Sequence, residues 1–539
     1  MQKPRCIPFV NPATGEQFGE VAMATSSEIT LAHKEMRQAF TIWRKKPLKE
    51  RIRILRQFQE VVIDSMDEIT EVINKDTGKS RQDGWIEVNM TVDRLHQYYK
   101  RAPHWLSRRR VPPGLYMFKQ YYTEPHPFGV VAVIGPWNYP FDLTVPPMCS
   151  ALLAGNTVLL KPSEVTPAVG QLIERLVNRT PELSPFVRVL HGDGAVGAAI
   201  VASRPDLVFL TGSTATGRKI AQATADSLTP FIYELGGKDP MIVFDSADLP
   251  AAAKWGAWGA FYNTGQTCMG IERVYVQSGV YDEFVTAVLE EARRFKIGYS
   301  TRFDNHYNMG PLTFERQVKI ITDHMEDALA KGAKVLRGGK LDGLFMEPTV
   351  MVDVDHSMKV MREETFGPIM PIMKFGDETE ALFLANDCDY GLSAAVWSGD
   401  RRQAKRVAHR LDVGSVNIND AISHYPVSLL PFGGVKMSGN ARTHGKEEVQ
   451  QFTQMRSYAI GSPPSPLDIA TIMRSPGHYR LGKAITRFFF GVTPRQRLEP
   501  MTELFEELDL TPAAKKTAVS VGAAGVLAAV VLGLLRFRK

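Results

Sequence analysis

The sequence predicts an α/β protein built on parallel β-sheets. Short, wholly apolar runs, of which 130–134 is the clearest, alternate with stretches of helical periodicity. Strands buried on both faces have this composition, because helices cover both sides of a parallel sheet. A chain of 539 residues, 44% of them hydrophobic, is long enough to bury two or three such domains.

The elements follow one another in a regular order. The first hundred residues predict a turn at 11–16 between two short strands, then helices over 26–75 and 90–105. Further strands are predicted at 121–134, 157–160, 207–210, 241–244, 345–351, 366–375 and 451–460. A helix is predicted at 143–153, between the first two of these strands. The alternation predicts two βα series along the chain.

Composition argues against several classes of function. The formal net charge is +6, and no basic stripe interleaved with aromatic residues predicts nucleic-acid binding. The four cysteines lack metal-ligand spacing, and a disulfide framework is not expected in a chain of this length. We therefore expect neither a metal site nor a nucleic-acid partner.

The C-terminal part differs from the rest. An uncharged run at 517–535 has basic residues on both sides, and about 19 residues at ~1.5 Å each match the ~30 Å hydrocarbon core. This predicts a transmembrane helix, with a buried helix as the alternative. Residues 461–516 predict a linker and an amphipathic, membrane-surface extension, or a satellite helix. Because the N-terminus lacks an apolar signal region, we expect a single C-terminal anchor with the catalytic part facing the cytosol, in a membrane that the sequence does not identify.

Two residues predict covalent chemistry. Cys268 lies in a Gly-flanked loop at 265–270, and Glu234 stands 34 positions earlier in the run 233–240. A thiol nucleophile needs a base, and a carboxylate can serve as one. Taken alone, a cysteine in a loop is more often an incidental thiol.

A second set of residues predicts an anion site. The apolar strand at 207–210 runs into Thr211 to Gly217, which would place backbone N–H groups and a serine hydroxyl at a helix N-terminus. Lys161 and Glu164 leave the end of a neighbouring strand, where a carboxylate can accept hydrogen bonds from ribose hydroxyls. Glu164 would repel a 2′-phosphate, which favours NAD over NADP. A plain βα turn is the alternative interpretation.

Short motifs then occur together in one order. They are PWNYP with Trp137 and Asn138, KPSE with Lys161, FLTGST with Gly212 and Ser213, ELGGK with Glu234, GQTC with Cys268, EETFGP with Glu364 and Phe366, and PFGGVKMSG. Their order and spacing resemble the aldehyde dehydrogenase superfamily over about residues 8–460. The resemblance implies that Cys268 attacks the aldehyde, that Asn138 and the Cys268 N–H stabilise the oxyanion, and that Glu234 activates water to hydrolyse a thioester. The cofactor-binding residues that it implies, for NAD or NADP, are Trp137, Lys161, Glu164, Gly212, Ser213, Glu364 and Phe366.

The resemblance also implies an organisation. A Rossmann-like cofactor domain would comprise 1–118 and 130–236, an α/β catalytic domain 237–436, and a bridging β arm 119–129 with 437–460. The arm implies a homodimer or homotetramer. His424 and Tyr425 lie in a loop that resembles the family's substrate entrance, and a surface loop is the alternative.

These features together predict a membrane-tethered NAD(P)-dependent aldehyde dehydrogenase. Glu234 argues for release of a free carboxylate rather than a coenzyme A thioester. A tether concentrates an enzyme where lipophilic compounds partition, so we expect medium- or long-chain aliphatic aldehydes as substrates. A small semialdehyde such as succinate semialdehyde is the alternative substrate, and an inactive membrane-bound scaffold is the alternative class.

Overall fold

The computed structural model describes residues 5–113, 119–303, 306–461, 483, 486–487, 489–497 and 499. Its contacts define two compact units. The first holds the described residues up to Arg108 together with Glu124–Arg456. The second holds the described residues of Arg109–Thr123 and those from Ser457 onward.

The helices begin and end at residues with recognisable capping chemistry. The first starts at a capping box, in which the Thr25 side chain accepts from the Glu28 N–H and the Glu28 carboxylate accepts from the Thr25 N–H. In chain order the helices are α1 (Ser26–Trp43), α2 (Leu48–Asp64), α3 (Met66–Thr77), α4 (Arg81–Trp105), α5 (Val145–Ala154), α6 (Pro167–Asn178), α7 (Gly194–Ala202), α8 (Thr214–Ala225), α9 (Leu249–Phe261), α10 (Tyr281–Ala292), α11 (Glu315–Ala330), α12 (Lys359–Arg362), α13 (Glu378–Asn386), α14 (Arg401–Ala408) and α15 (Gly445–Gln451).

The strands range from two residues to nine. In chain order they are β1 (Cys6–Val10), β2 (Gln17–Ala22), β3 (Arg109–Val111), β4 (Lys119–Pro127), β5 (Val130–Ile134), β6 (Thr157–Lys161), β7 (Val187–Val189), β8 (Leu207–Gly212), β9 (Phe231–Leu235), β10 (Asp239–Val243), β11 (Ile271–Gln277), β12 (Lys334–Arg337), β13 (Leu341–Asp342), β14 (Phe345–Met346), β15 (Thr349–Val352), β16 (Ile369–Phe375), β17 (Tyr390–Gly391), β18 (Ser393–Trp397), β19 (Ser415–Ile418), β20 (Val435–Lys436) and β21 (Thr453–Gly461).

Two sheets form the centre of the first unit. One has the order β7-β6-β5-β8-β9, and all of its neighbouring strands are parallel. The other has the order β12-β15-β16-β11-β10-β18-β19 and is parallel except for β12 against β15. Every residue of β5 and β6 is buried, as their apolar composition predicts. The predicted parallel α/β architecture is confirmed.

Two of the predicted strands are interrupted. The run 121–134 divides into β4 and β5 at Gly129, where φ is +147°. A Cβ at Gly129 would lie 2.0 Å from the Asp206 carboxylate, which accepts from the Val130 N–H at 2.7 Å. The run 345–351 divides into β14 and β15 around Pro348, which has no N–H for a ladder. The first interruption depends on a residue distant in sequence, and the second on local chemistry.

The predicted domain boundaries stay predictions, although the structure locates elements within them. Strand β9 ends at Leu235 and β10 begins at Asp239, on either side of the proposed boundary. Strands β21, β4 and β3 form a three-stranded sheet. Within 437–460, α15 contributes Val449 to the hydrophobic core around α4 and α5, so this segment is not all extended arm. Dimer or tetramer formation also stays a prediction.

The predicted transmembrane run at 517–535 lies outside the described residues, as does most of the extension 461–516. Of the helices that the structure describes, none is both long enough and apolar enough to cross a bilayer.

One tight turn brings two distant loops together. After α9, Asn263, Thr264 and Gly265 all have positive φ, between +51° and +69°. A Cβ at Gly265 would lie 2.2 Å from the carbonyl oxygen of Gly367. The loop that carries Cys268 can therefore touch the loop 364–367 only because residue 265 has no side chain.

We predict that Gly265→Ala destabilises the protein more than a matched glycine substitution does. Gly343 also has positive φ (+59°) but nothing lies within 4 Å of a Cβ there. Gly343→Ala should lose about 1–2 kcal/mol from backbone strain alone, and Gly265→Ala about 1–3 kcal/mol more from overlap with Gly367. Urea unfolding of both variants measures the difference; equal losses would show that the contact is not tight.

Candidate active site

The functional candidates lie at the carboxyl end of the five-stranded parallel sheet. Asn138 follows β5, Lys161 ends β6, Ser213 follows β8, and Glu234 lies in β9. Within the ladder, Thr211 of β8 pairs with Glu234. Since neighbouring parallel strands end at one edge, the fold gathers residues from four separate stretches of sequence there.

Cys268 and Glu234 are brought together. Cys268 is partly exposed, whereas Glu234 is 2% exposed, and their side chains are in hydrogen-bonding contact. Burial raises the pKa of Glu234 to about 8; the hydrogen bond with Cys268 opposes this, and nearby Asp239 adds to it. The Oε1 atom of Glu234 has no hydrogen-bond partner among the described residues. The carboxyl group is thus a buried base with one oxygen open to a further partner.

The Cys268 thiol is protonated in this setting. Desolvation, followed by the charges of Glu234, Asp239 and Glu364, raises the pKa of Cys268 well above its usual range, and a hydrogen bond from the Met269 N–H opposes the shift. Because the thiolate is the nucleophile, Cys268 needs a base within reach before it can attack a carbonyl. Glu234 occupies that position.

Hydrogen bonds hold both the backbone carbonyl and the side-chain amide of Asn138. It is 5% exposed, its Nδ2 donates to the Gln266 carbonyl at 3.2 Å, and its own carbonyl accepts from Lys79 Nζ at 2.7 Å. Gln266 is two residues before Cys268. A side-chain amide has two N–H donors, so the bond to Gln266 orients the second one. Asn138 and the cysteine loop are therefore fixed against each other, as an oxyanion site requires.

Glu364 lies against the start of the second sheet. A Cβ at Gly236 would stand 1.8 Å from Glu364 Oε1, and the Gly237 N–H donates to the carboxylate. Burial, then the charges of Glu272 and Glu234, raise the pKa of Glu364 well above its usual range. Glu364 thus belongs to the same buried group of carboxyls as Glu234.

A buried ion pair, which the sequence did not predict, supports the loop 364–367. Glu272 accepts from Lys238 Nζ at 2.6 Å and from the Thr365 and Phe366 N–H groups at 2.7 and 2.8 Å. Phe366 has a φ of +51°, which these bonds help to maintain. Lys238 is the lysine of the ELGGK motif, so the sequence motifs included one residue of the ion pair. Glu272 belongs to none of the motifs, and nothing in the sequence around it indicates this role.

Trp137 and Phe366 are also brought together. Their rings meet edge to face at 5.4 Å, and Phe314 packs on the other side of Trp137 at 4.9 Å. Phe314 was not predicted, because it carries no motif. The aromatic contact joins the loop after β5 to the loop before β16.

The cofactor candidates after β6 and β8 lie at the same edge of the five-stranded sheet. Ser213 caps α8, its hydroxyl accepting from the Thr216 N–H at 3.3 Å, and a Cβ at Gly217 would meet Leu235 at 2.9 Å, which allows α8 to pack closely on β9. Lys161 Nζ donates to Glu164 at 2.9 Å. These groups suit a nicotinamide dinucleotide: helix N–H groups for phosphate and a carboxylate for ribose. Within the described ranges, His, Cys, Asp and Glu side chains nowhere cluster in a group of three that could hold a metal ion.

His424 and Tyr425 are buried, at 8% and 4% exposure, so the surface-loop alternative is wrong. The Tyr425 hydroxyl donates to Asp142 at 3.0 Å, and its ring packs edge to face on Phe432 at 5.0 Å. Tyr425 and Phe432 belong to a hydrophobic cluster, against which Cys268 packs. The thiol therefore faces a largely apolar wall.

Comparison with known proteins agrees with this geometry. The profile of the aldehyde dehydrogenase family matches residues 1–458. The chain is 41% identical over 488 residues to the 4,4'-diapolycopene aldehyde oxidase of Methylomonas sp, covering 90% of this chain and 91% of that protein. It is 36% identical over 485 residues to a Mycobacterium tuberculosis protein provisionally named succinate-semialdehyde dehydrogenase [NADP(+)] 2, covering 86% and 93%.

A solved structure is similar as well. Betaine aldehyde dehydrogenase of Staphylococcus aureus, in complex with NAD+, superimposes with a TM-score of 0.81 at 30% identity, over 86% of this chain and 95% of that one. The prediction of a nicotinamide cofactor is confirmed at the level of NAD(P). The chain belongs to the aldehyde dehydrogenase family and is an NAD(P)-dependent oxidoreductase that acts on aldehydes.

Proposed function

We propose that this enzyme oxidises medium- or long-chain aliphatic aldehydes to free carboxylates at a membrane, through a thiohemiacetal and a thioester on Cys268. The observation that carries the reaction is the contact between Cys268 and the buried base Glu234. The apolar cluster beside the thiol supports the substrate class.

The first step is attack of Cys268 on the aldehyde carbon. Glu234 takes the thiol proton, since it is in contact with the sulfur and its raised pKa of about 8 makes it a stronger base than an exposed carboxylate. The second N–H of the Asn138 amide and the backbone N–H of Cys268 then stabilise the oxyanion. The product is a thiohemiacetal on Cys268.

NAD(P), when bound, would supply the hydride acceptor, and loss of hydride from the thiohemiacetal carbon would leave a thioester on Cys268. We propose that Lys161 and Glu164 hold the adenosine ribose, and that Gly212 and Ser213 hold the pyrophosphate. Trp137, Glu364 and Phe366 would line the nicotinamide side. Glu164 favours NAD, because its carboxylate would repel a 2′-phosphate.

Hydrolysis completes the reaction. After the thiol proton has passed from Glu234 to solvent, the Glu234 carboxylate accepts a proton from a water molecule, and the partnerless Oε1 atom is the oxygen available for it. The water oxygen bonds to the acyl carbon, the carbon–sulfur bond breaks, and the leaving thiolate of Cys268 takes this proton from Glu234 to become a thiol, while the carboxylic acid product loses its own proton to solvent. The product is a free carboxylate.

Charge near the site favours a neutral, apolar substrate over a semialdehyde that carries a carboxylate. Three buried cations near the site already have carboxylate partners: Lys79 with Glu87, Arg94 with Asp142, and Lys238 with Glu272. The Methylomonas relative, named for the aldehyde of a polyene hydrocarbon, supports the apolar class. The mycobacterial relative keeps succinate semialdehyde as the alternative. A scaffold role is disfavoured by the intact Cys268, Glu234 and Asn138.

The dependence of turnover on pH tests the role of Glu234. Because the ionised form is the base, turnover should rise about tenfold per pH unit below pH 8 and level off above it. Glu234→Gln should lose about 10²–10⁴-fold in kcat and lose this rise. NADH formation measures both, with Cys268→Ala as the inactive reference.

A second buried carboxyl provides the control. Burial raises the pKa of Asp239 to about 7, and Asp239 accepts from Ser393 at 2.7 Å. Asp239→Asn should keep the rise, even if its turnover falls, but with a midpoint below that of the natural enzyme, because the charge of Asp239 raises the pKa of Glu234. If Asp239→Asn loses the rise and Glu234→Gln keeps it, Glu234 is not the base and the proposed assignment is wrong.

Substrate chain length tests the proposed class. We expect kcat/KM to rise from butanal through decanal to hexadecanal, because each buried methylene contributes about 0.8 kcal/mol, and to be low for succinate semialdehyde. Assays with NAD and NADP should favour NAD. Activity confined to succinate semialdehyde would establish the alternative substrate, and no activity on any aldehyde by a folded protein would favour the scaffold.

We also propose a membrane tether at 517–535, supported by its apolar length and basic flanks. The full chain should float with liposomes when synthesised in their presence. A charge at the middle of the run costs about 2.5–3.5 kcal/mol, so Val526→Arg should reduce flotation while Val526→Leu should not. Equal flotation of both variants, or none by the natural chain, would contradict a spanning helix.

A further inference from the structure

Helix α4 carries a polar face that is completely buried. Glu87, Thr91, Arg94 and Tyr98 follow at helical spacing and are each 0–2% exposed. The core-facing stripe of a helix is normally apolar, because burying polar groups costs free energy unless they are bonded. The polar face therefore has specific partners.

Glu87, Thr91 and Arg94 all have partners in one short segment, 138–142, which begins with Asn138. Glu87 Oε1 accepts from the Phe141 N–H at 2.8 Å and from the Asp142 N–H at 3.2 Å. The Asp142 carboxylate in turn accepts from Thr91 at 2.9 Å and from Arg94 at 3.2 Å. One face of α4 thus fixes the backbone of the segment.

Lys79, just before the N-cap of α4, connects this support to Asn138 itself. Its Nζ donates to Glu87 Oε2 at 2.9 Å and to the Asn138 carbonyl at 2.7 Å, and it lies 4.3 Å from the centroid of the Tyr139 ring. Lys79 is 4% exposed and Glu87 is 0% exposed. The ion pair is shielded from water, so its geometry is set by these contacts.

Asn138 is consequently held through its backbone and through its side chain. Its carbonyl accepts from Lys79 at 2.7 Å and, at the longer distance of 3.4 Å, from Asn263 Nδ2, while the Gln266 carbonyl accepts one hydrogen of its side-chain amide at 3.2 Å. The direction of the remaining N–H depends on both. A shift of about 1 Å in a positioned group can cost ~10²-fold in rate.

We propose that the buried Lys79–Glu87 ion pair is a positioning device that holds the Asn138 amide toward the oxyanion. Neither residue touches the substrate; both act through Asn138. The inference rests on the proposed role of Asn138 as oxyanion donor.

Two substitutions separate the contacts. Glu87→Gln keeps an oxygen for the Phe141 and Asp142 N–H groups but places an amide NH₂ against Lys79, which displaces the lysine. Lys79→Met removes the donor to Asn138. The double variant Lys79→Met/Glu87→Gln leaves no unpaired buried charge. We therefore expect it to fold even if a single variant, which leaves one buried group without its partner, does not.

The test is hydrolysis of p-nitrophenyl acetate, which forms the same kind of oxyanion without a hydride acceptor. Cys268 attacks the ester carbonyl, p-nitrophenolate leaves, and water hydrolyses the acetyl thioester. Asn138→Ala should reduce kcat about 10²–10³-fold. Glu87→Gln, or the double variant, should reduce kcat about 10–100-fold with little change in KM.

Combining the substitutions decides the inference. In an Asn138→Ala background, Glu87→Gln should cause no further loss of kcat, because the group it positions is gone. Losses that multiply would show a general structural effect and overturn the inference. If Asn138→Ala alone has no effect, the proposed role of Asn138 as oxyanion donor is wrong. If the folded natural enzyme does not hydrolyse the ester, the donor is not positioned in advance and the inference is also wrong.

Glu448→Gln is a matched control. Glu448 is another fully buried carboxylate facing α4, where it accepts from Tyr98 at 2.6 Å, but it does not contact the segment 138–142. We expect it to lower the melting temperature and to leave the ester kcat within about twofold, as for sites that act independently. A kcat loss equal to that of Glu87→Gln would show that any buried carboxylate near α4 has this effect.

Discussion

The contact between the Glu234 carboxyl and the Cys268 thiol is the interaction on which the site depends. Both groups are more costly to ionise than in water, because burial removes solvent from around them. A proton can therefore pass between them with a small net change in solvation. The fold provides this by placing Glu234 inside a parallel strand and Cys268 on a loop against it.

Rigid support around the pair comes from contacts between distant parts of the chain. Gly265 allows the cysteine loop to touch Gly367, and Glu272 of the Lys238–Glu272 pair holds the loop 364–367 through the Thr365 N–H. Buried ion pairs contribute little net stability, since desolvation offsets their attraction. Their retention next to reacting groups fits a role in geometry rather than in folding energy.

The sequence predicted the parallel sheets because wholly apolar strands are a local signal, and 130–134 became β5 unchanged. It also predicted the residues that now meet at one edge, through motifs. It could not predict the break at Gly129, next to Val130, whose partner Asp206 lies 76 residues away, nor Glu272 and Glu87, whose loop partners are distant. For the same reason the burial of Tyr425, which depends on Asp142, was left open.

Electrostatics connects the site to the choice of substrate. Glu234, Asp239 and Glu364 surround Cys268, and each has its pKa raised chiefly by burial. An anionic substrate would bring a negative charge into surroundings that already disfavour ionised carboxyls, whereas a neutral aldehyde brings none until the oxyanion forms. In the proposed mechanism the charge then develops beside the Asn138 amide, which the bond to the Gln266 carbonyl orients beforehand. These features support the proposal of an uncharged aldehyde on an apolar chain as the substrate, with hydrogen-bond donors reserved for the transition state.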